Sequence, residues 1–254
     1  ASQTPCSVGT YNPQSASDSS TACMDADPGY YVDSNASASQ TPCSAGTYQP
    51  SYGQISCIEA DSGHYVPSDS SENQVPCSPG SFQPNTGQAS CLDADPGHYV
   101  DSNASTSQTE CGLGTYQPSS GQASCIDADP GYFVDSNGST SQTPCWLGTY
   151  QPSSEQASCI DADPGHYVDT NASENQTPCG LGTYNPDSGS DSSEACLDAD
   201  PGFYVDGVGE ASQTPCELGE YQPDSGMSWC GDADAGHYVD TNASSTQTPL
   251  CTSF

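Results

Sequence analysis

A glycine followed two residues later by an aromatic recurs fourteen times along this chain, and its spacing leaves the fold little freedom. The pairs are Gly9-Tyr11, Gly29-Tyr31, Gly46-Tyr48, Gly63-Tyr65, Gly80-Phe82, Gly97-Tyr99, Gly114-Tyr116, Gly131-Phe133, Gly148-Tyr150, Gly165-Tyr167, Gly182-Tyr184, Gly202-Tyr204, Gly219-Tyr221 and Gly236-Tyr238. The step is 17 residues except for two steps of 20. Both long steps carry a Ser/Asp-rich insertion, QSASDSSTAC at 14–23 and SGSDSSEAC at 188–196. A fixed short period marks an array in which each unit buries its face on its neighbours.

The half-repeats are of two kinds in strict alternation. The A half runs C-x-x-G-T-Y-[QN]-P and closes on a second cysteine, as from Cys111 to Cys125. The B half runs A-D-P-G-x-[YF]-V-D-[ST]-N and closes on S-Q-T-P, as from Ala128 onward. Aligned on their glycines, Cys111 falls on Ala128 and Cys125 on Gln142. The same replacement occurs at Ala26/Gln40, Ala60/Gln74, Ala94/Gln108, Ala162/Gln176, Ala199/Gln213 and Ala233/Gln247. Two cysteines lost together are best explained as partners in one bond. That reading pairs Cys6 with Cys23, Cys43 with Cys57, Cys77 with Cys91, Cys111 with Cys125, Cys145 with Cys159, Cys179 with Cys196 and Cys216 with Cys230. It leaves Cys251 as an odd thiol, free or bonded to a neighbouring subunit. A rival scheme links each half to the next, from Cys23–Cys43 to Cys230–Cys251, with Cys6 odd. Full repeats are expected at 6–42, 43–76, 77–110, 111–144, 145–178, 179–215 and 216–250. Residues 1–5 read as the tail of a preceding half-repeat and 251–254 as an incomplete next repeat.

The cysteines matter because the composition alone favours disorder. The chain has 33 acidic residues, no Lys or Arg, and only 32% hydrophobic residues, too few to offset backbone ordering. Closed loops replace the missing core, and a loop of this size contributes about 3 kcal/mol in the chain-entropy account. A net charge of −33 excludes nucleic acid and anionic membranes as partners and leaves solvent cations as counterions. No apolar run is long enough for a membrane span. The absence of Lys and Arg also removes every trypsin site. Gly at each turn, Pro in Y-[QN]-P and T-P-C, and centres such as PSSGQ and DSNGS predict hairpins and no helix of note. The fold expected is therefore all-β or irregular, an elongated, disulfide-stapled tandem array of short β-hairpins. A halves are expected to be held by sulfur, and B halves by packing of apolar groups such as Phe133, Val134 and Ile126.

At C-x-x-G-T-Y-x-P…S-C the chain resembles the cysteine-rich repeats of tumour-necrosis-factor-receptor and ephrin-receptor-like ectodomains, modules that also occur in microbial extracellular proteins. In that family the loop is closed by its own two cysteines, which agrees with the first pairing above. The resemblance implies short hairpins, each stacked on the next.

Several residue sets invite a chemical reading. Sequons at Asn35, Asn103, Asn137, Asn171 and Asn242 share one register, six residues after a B-half glycine, and Asn175 adds a sixth; they predict covalent glycans on exposed turns. The Asp-x-Asp pairs Asp25/Asp27, Asp93/Asp95, Asp127/Asp129 and Asp161/Asp163 are candidates for calcium, since alternate carboxylates on a strand share one side. His64, His98, His166 and His237 occupy a slot that also takes Tyr and Phe, so they read as packing or surface residues. An enzyme is not expected: any acid or His cluster exists in several near-identical copies, whereas catalysis needs one preorganised concave site. No cofactor is required. The expected role is a structural subunit of an extracellular, glycosylated surface filament built from copies of the chain head to tail. The alternatives are a stalk or spacer of a cell-surface adhesin or receptor, and a protein-binding ectodomain.

Overall fold

The computed structural model describes residues 4–250. Its secondary structure among those residues is fourteen two-stranded sheets and two single 3-10 turns, at Ser20–Ala22 and Ser193–Ala195. The two turns fall inside the two sequence insertions, which explains how three extra residues are absorbed without disturbing the hairpin.

Every hairpin has one design. The chain turns at the recurring glycine and runs two residues as a strand. It then loops through a left-handed residue seven positions after the glycine and returns as a second short strand. In an A half Thr47–Tyr48 pairs antiparallel with Ile58–Glu59, Tyr48 opposite Ile58. In a B half His64–Tyr65 pairs with Val75–Pro76, His64 opposite Pro76. Strands of two residues are far too short to stand alone, so the hairpins depend on their neighbours.

The described residues group into two compact units. One comprises residues up to Gly112 with Tyr116–Ile126 and Asn137–Thr140; the other comprises Leu113–Thr115, Asp127–Ser136 and the residues from Ser141 on. In the first unit, successive half-repeats are tied by backbone bonds. Gly46 N–H donates to Val66 O (2.8 Å), Gln49 N–H to Ser71 O (3.1 Å), and Ser70 N–H back to Cys43 O (2.8 Å). In the second unit the same three bonds recur as Gly148 to Val168 (2.8 Å), Gln151 to Ser173 (3.0 Å) and Ala172 to Cys145 (2.8 Å). These donors and acceptors are main-chain atoms, so the tie survives wide variation in loop side chains.

The core is correspondingly thin. A full repeat buries the first cysteine of the A half, one glutamine, and the alanine and valine of the B half, as with Cys43, Gln49, Ala60 and Val66. The buried amide is satisfied: in the fourth repeat Gln117 Nε2 donates to Ser124 O (2.8 Å) and its Oε1 accepts from Ser119 N–H (3.1 Å). Where the loop is three residues longer, the shorter Asn185 stands in. Its Nδ2 reaches Ser190 Oγ (2.8 Å) and His166 O (2.9 Å). Asn12 makes the same short reach to Ser17 Oγ (2.8 Å) in the other long loop.

Seven disulfides close within A halves: Cys6–Cys23, Cys43–Cys57, Cys77–Cys91, Cys111–Cys125, Cys145–Cys159, Cys179–Cys196 and Cys216–Cys230. Cys251 lies outside the described residues. B halves keep the expected apolar packing in part, through buried residues such as Ala128 and Val134, and add a second staple. Val134 is buried, but Ile126 is 43% exposed. Across the hairpin, Asp129 N–H donates to Gln142 Oε1 (2.7 Å), and Gln142 Nε2 donates to Asp129 Oδ2 (2.7 Å). The same two-point clamp joins Asp27 to Gln40, Asp61 to Gln74, Asp95 to Gln108, Asp163 to Gln176, Asp200 to Gln213 and Asp234 to Gln247. The glutamine that replaces the second cysteine thus staples the hairpin by hydrogen bonds.

Candidate functional site

Repeated docking between half-repeats creates the feature with the clearest capacity for recognition. The glycine that opens each hairpin has a positive φ, between 78° and 90° across all fourteen. In twelve of them a Cβ would run into the backbone of the half-repeat two places further on, at its left-handed turn. Gly46 faces the Gly87 carbonyl, Gly63 faces that of Ala104, and Gly148 faces that of Gly189. A left-handed φ and a carbonyl seated on the Cα together leave room for glycine alone. These twelve glycines are buried.

The remaining two are open. Gly219 (φ +90°) and Gly236 (φ +87°) keep the same conformation, but nothing lies within 4 Å of the position a Cβ would take, and both are exposed. Conversely, the first two left-handed turns, at Ala16 (φ 61°) and Ala36 (φ 59°), are exposed and cover no glycine among the described residues. They border an open groove of about 870 Å³ that Cys6, Asn12, Ser17 and Cys23 help to line.

The sequon asparagines Asn35, Asn103, Asn137, Asn171, Asn175 and Asn242 are all exposed. Five of them immediately precede a left-handed turn residue: Ala36, Ala104, Gly138, Ala172 or Ala243. Asn35 has a further role that the sequon pattern did not reveal. Its Oδ1 accepts from Val8 N–H (3.1 Å), and Asp69 fills the equivalent slot by accepting from Ala45 N–H (2.9 Å). The slot requires an acceptor, and an N-linked sugar uses the nitrogen, so the bond and a glycan are compatible.

The aspartate pairs are not brought together as a cation cage. Asp27, Asp95, Asp129 and Asp163 each commit a carboxylate oxygen to the glutamine clamp. Asp25, Asp93 and Asp161 instead flank the turn glycines Gly53, Gly121 and Gly189, and Asp127 lies on the closing strand Ile126–Asp127. Among the described residues no group of three or more His, Cys, Asp or Glu is placed to hold a metal. His64, His166 and His237 stand opposite Pro76, Pro178 and Pro249, where Tyr30, Tyr132 and Phe203 stand opposite Pro42, Pro144 and Pro215 in other repeats. The slot pairs a flat ring with a proline. His98, opposite Glu110, lies 4.0 Å from its carboxylate.

Two tandem stretches, residues 63–111 and 97–145, match the family described as tyrosine-protein kinase ephrin type A/B receptor-like. These two stretches are similar to ephrin-receptor-like repeats. Each matched stretch starts at a B-half glycine and ends on the first cysteine of a later A half, so the matched unit contains one whole disulfide-closed hairpin. No curated protein matches the chain. Among the described residues no helix is long and apolar enough to cross a membrane. The chain is a cysteine-rich tandem repeat protein, two stretches of which are similar to ephrin-receptor-like repeats.

Proposed function

We propose that the chain is a non-catalytic structural protein of the extracellular space or cell surface, and that its copies assemble into a filament. The observation that carries this reading is the docking itself. Every half-repeat offers the same backbone donors and acceptors to the half-repeats beside it, through atoms that any further copy of the motif also possesses. Such contacts are heterologous, and a heterologous contact that does not close on itself propagates. Seven disulfides suit an oxidising compartment. The −33 charge disfavours lateral clumping and calls for cations only as counterions. The sequon asparagines carry glycans when the producing cell glycosylates N-x-[ST].

Electron microscopy of the purified, oxidised chain tests the reading: continuous fibres support it, and monodisperse short particles at every concentration overturn it. The second reading, a stalk or spacer in a cell-surface protein, draws on the likeness to receptor ectodomain modules and predicts those discrete particles.

A further inference from the structure

We infer that two copies join by seating the turns at Ala16 and Ala36 of one copy over Gly219 and Gly236 of the other, an inference that rests on the filament reading and names its joint. The parts match in conformation. Gly219 and Gly236 have the left-handed φ of the twelve covered glycines yet stand exposed. Ala16 and Ala36 have the left-handed φ of the turns that do the covering. Alanine at the covering position already has precedents, over Gly63 (Ala104), Gly131 (Ala172) and Gly202 (Ala243).

The joint also has a template within the chain. The segment GHYVDTNAS occurs at 165–173 and again, identically, at 236–244. The first occurrence docks against a long-loop A half, 179–196, whose three-residue insertion is shared only with the A half at 6–23. Its bonds are Gly165 N–H to Asn185 O (2.7 Å), Val168 N–H to Ser190 O (2.9 Å) and Gly189 N–H to Ala162 O (2.8 Å), with Asn185 Nδ2 donating to His166 O (2.9 Å). Moved to the joint, they become Gly236 N–H to Asn12 O, Val239 N–H to Ser17 O, Ala16 N–H to Ala233 O and Asn12 Nδ2 to His237 O. No acceptor among the described residues meets the N–H of Gly236, Val239 or Ala16. Ala16 and Gly219 belong to A halves, and Ala36 and Gly236 to B halves, so the joint sets A half on A half and B half on B half, as the interior does.

The test is a variant blocked at one end. Gly219→Val with Gly236→Val fills both exposed positions and leaves Ala16 and Ala36 untouched. Gly236→Ala is the milder form. Seven disulfides by intact mass and a single cooperative melting transition establish that the variants fold, with the midpoint lowered by the left-handed φ that valine resists. By sedimentation velocity the double variant is expected to remain monomeric where the parent chain polymerises. Mixed at one part in ten, it is expected to terminate growth and hold fibres to about ten copies on average, since each blocked copy caps one fibre; a misfolded variant would not cap. Fibres of normal length from the double variant alone would overturn the joint while leaving the filament standing. A parent chain that never polymerises would overturn both.

Discussion

The A and B half-repeats reach the same hairpin by different chemistry. In the A half a covalent bridge joins the first and last residues of the loop, Cys111 to Cys125. In the B half, alanine and glutamine take those two places, and the glutamine amide grips the backbone and carboxylate of the next residue, Asp129. Register, the left-handed turn and the backbone ties to neighbours are common to both. What differs is how much of the unfolded chain's freedom each staple removes. A disulfide acts on the unfolded state whatever the neighbours do. A pair of exposed hydrogen bonds contributes only once the hairpin is formed. The alternation therefore gives each B half a covalently closed partner to fold against.

The largest effect is expected where the halves should not differ at all. Gly97→Ala in a B half and Gly114→Ala in an A half each place a methyl group against a backbone carbonyl, of Gly138 and Glu155 respectively, at a φ that alanine resists. Each should cost about 4 kcal/mol and lower the urea midpoint alike. Unequal losses would mean that the two halves do not share one docking geometry. Next comes the covalent staple. Cys111→Ala with Cys125→Ala should destabilise by about 3 kcal/mol, measured by the same denaturation.

The hairpin class and the thirty-four-residue repeat were legible because a glycine tied to an aromatic, and cysteines present in one half and absent in the next, are patterns that only a repeated loop produces. The clamp was not. A glutamine in place of a cysteine reads as a loss, and apolar neighbours such as Ile126, which is exposed, read as the substitute. The signal was nonetheless there: an aspartate follows the alanine of every B half, thirteen residues before the glutamine, as with Asp27 and Gln40 or Asp234 and Gln247. Asn185 and Asn12 were equally informative, since asparagine replaces the core glutamine only where the loop is longer. Docking between half-repeats two places apart leaves no mark beyond the glycine itself, because main-chain atoms carry it. The open glycines could be recognised only once the twelve covered ones had been seen.

Two smaller predictions bear on the staples directly. Gln142→Ala removes both arms of one clamp at an exposed site and should cost about 1 kcal/mol. Ala128→Cys with Gln142→Cys converts the B half to the A pattern; a bridge worth about 3 kcal/mol replacing a clamp worth about 1 should raise stability by about 2 kcal/mol. Intact mass with a thiol-blocking reagent checks that the new bridge has formed. Failure to close would show that the two hairpins differ in backbone as well as in staple.

The smallest effect is expected at a residue that looks, in sequence, like core. Ile160 on the closing strand of an A half is 44% exposed and stands opposite Tyr150. The B half that follows has Thr177 in the same place, opposite Tyr167. Ile160→Thr therefore exchanges one half's residue for the other's on an identical register. The cross-strand pair with an aromatic accounts for a few tenths of a kcal/mol, threonine keeps the β-branch that suits a strand, and little buried area is given up. Stability should change by less than about 0.5 kcal/mol in a dilute, oxidised sample. A loss above about 1 kcal/mol would mean that Ile160 is covered in the folded state and that A halves rely on packing as well as sulfur. That result would reverse the contrast between the halves, making the covalently closed hairpin the one more dependent on its apolar face.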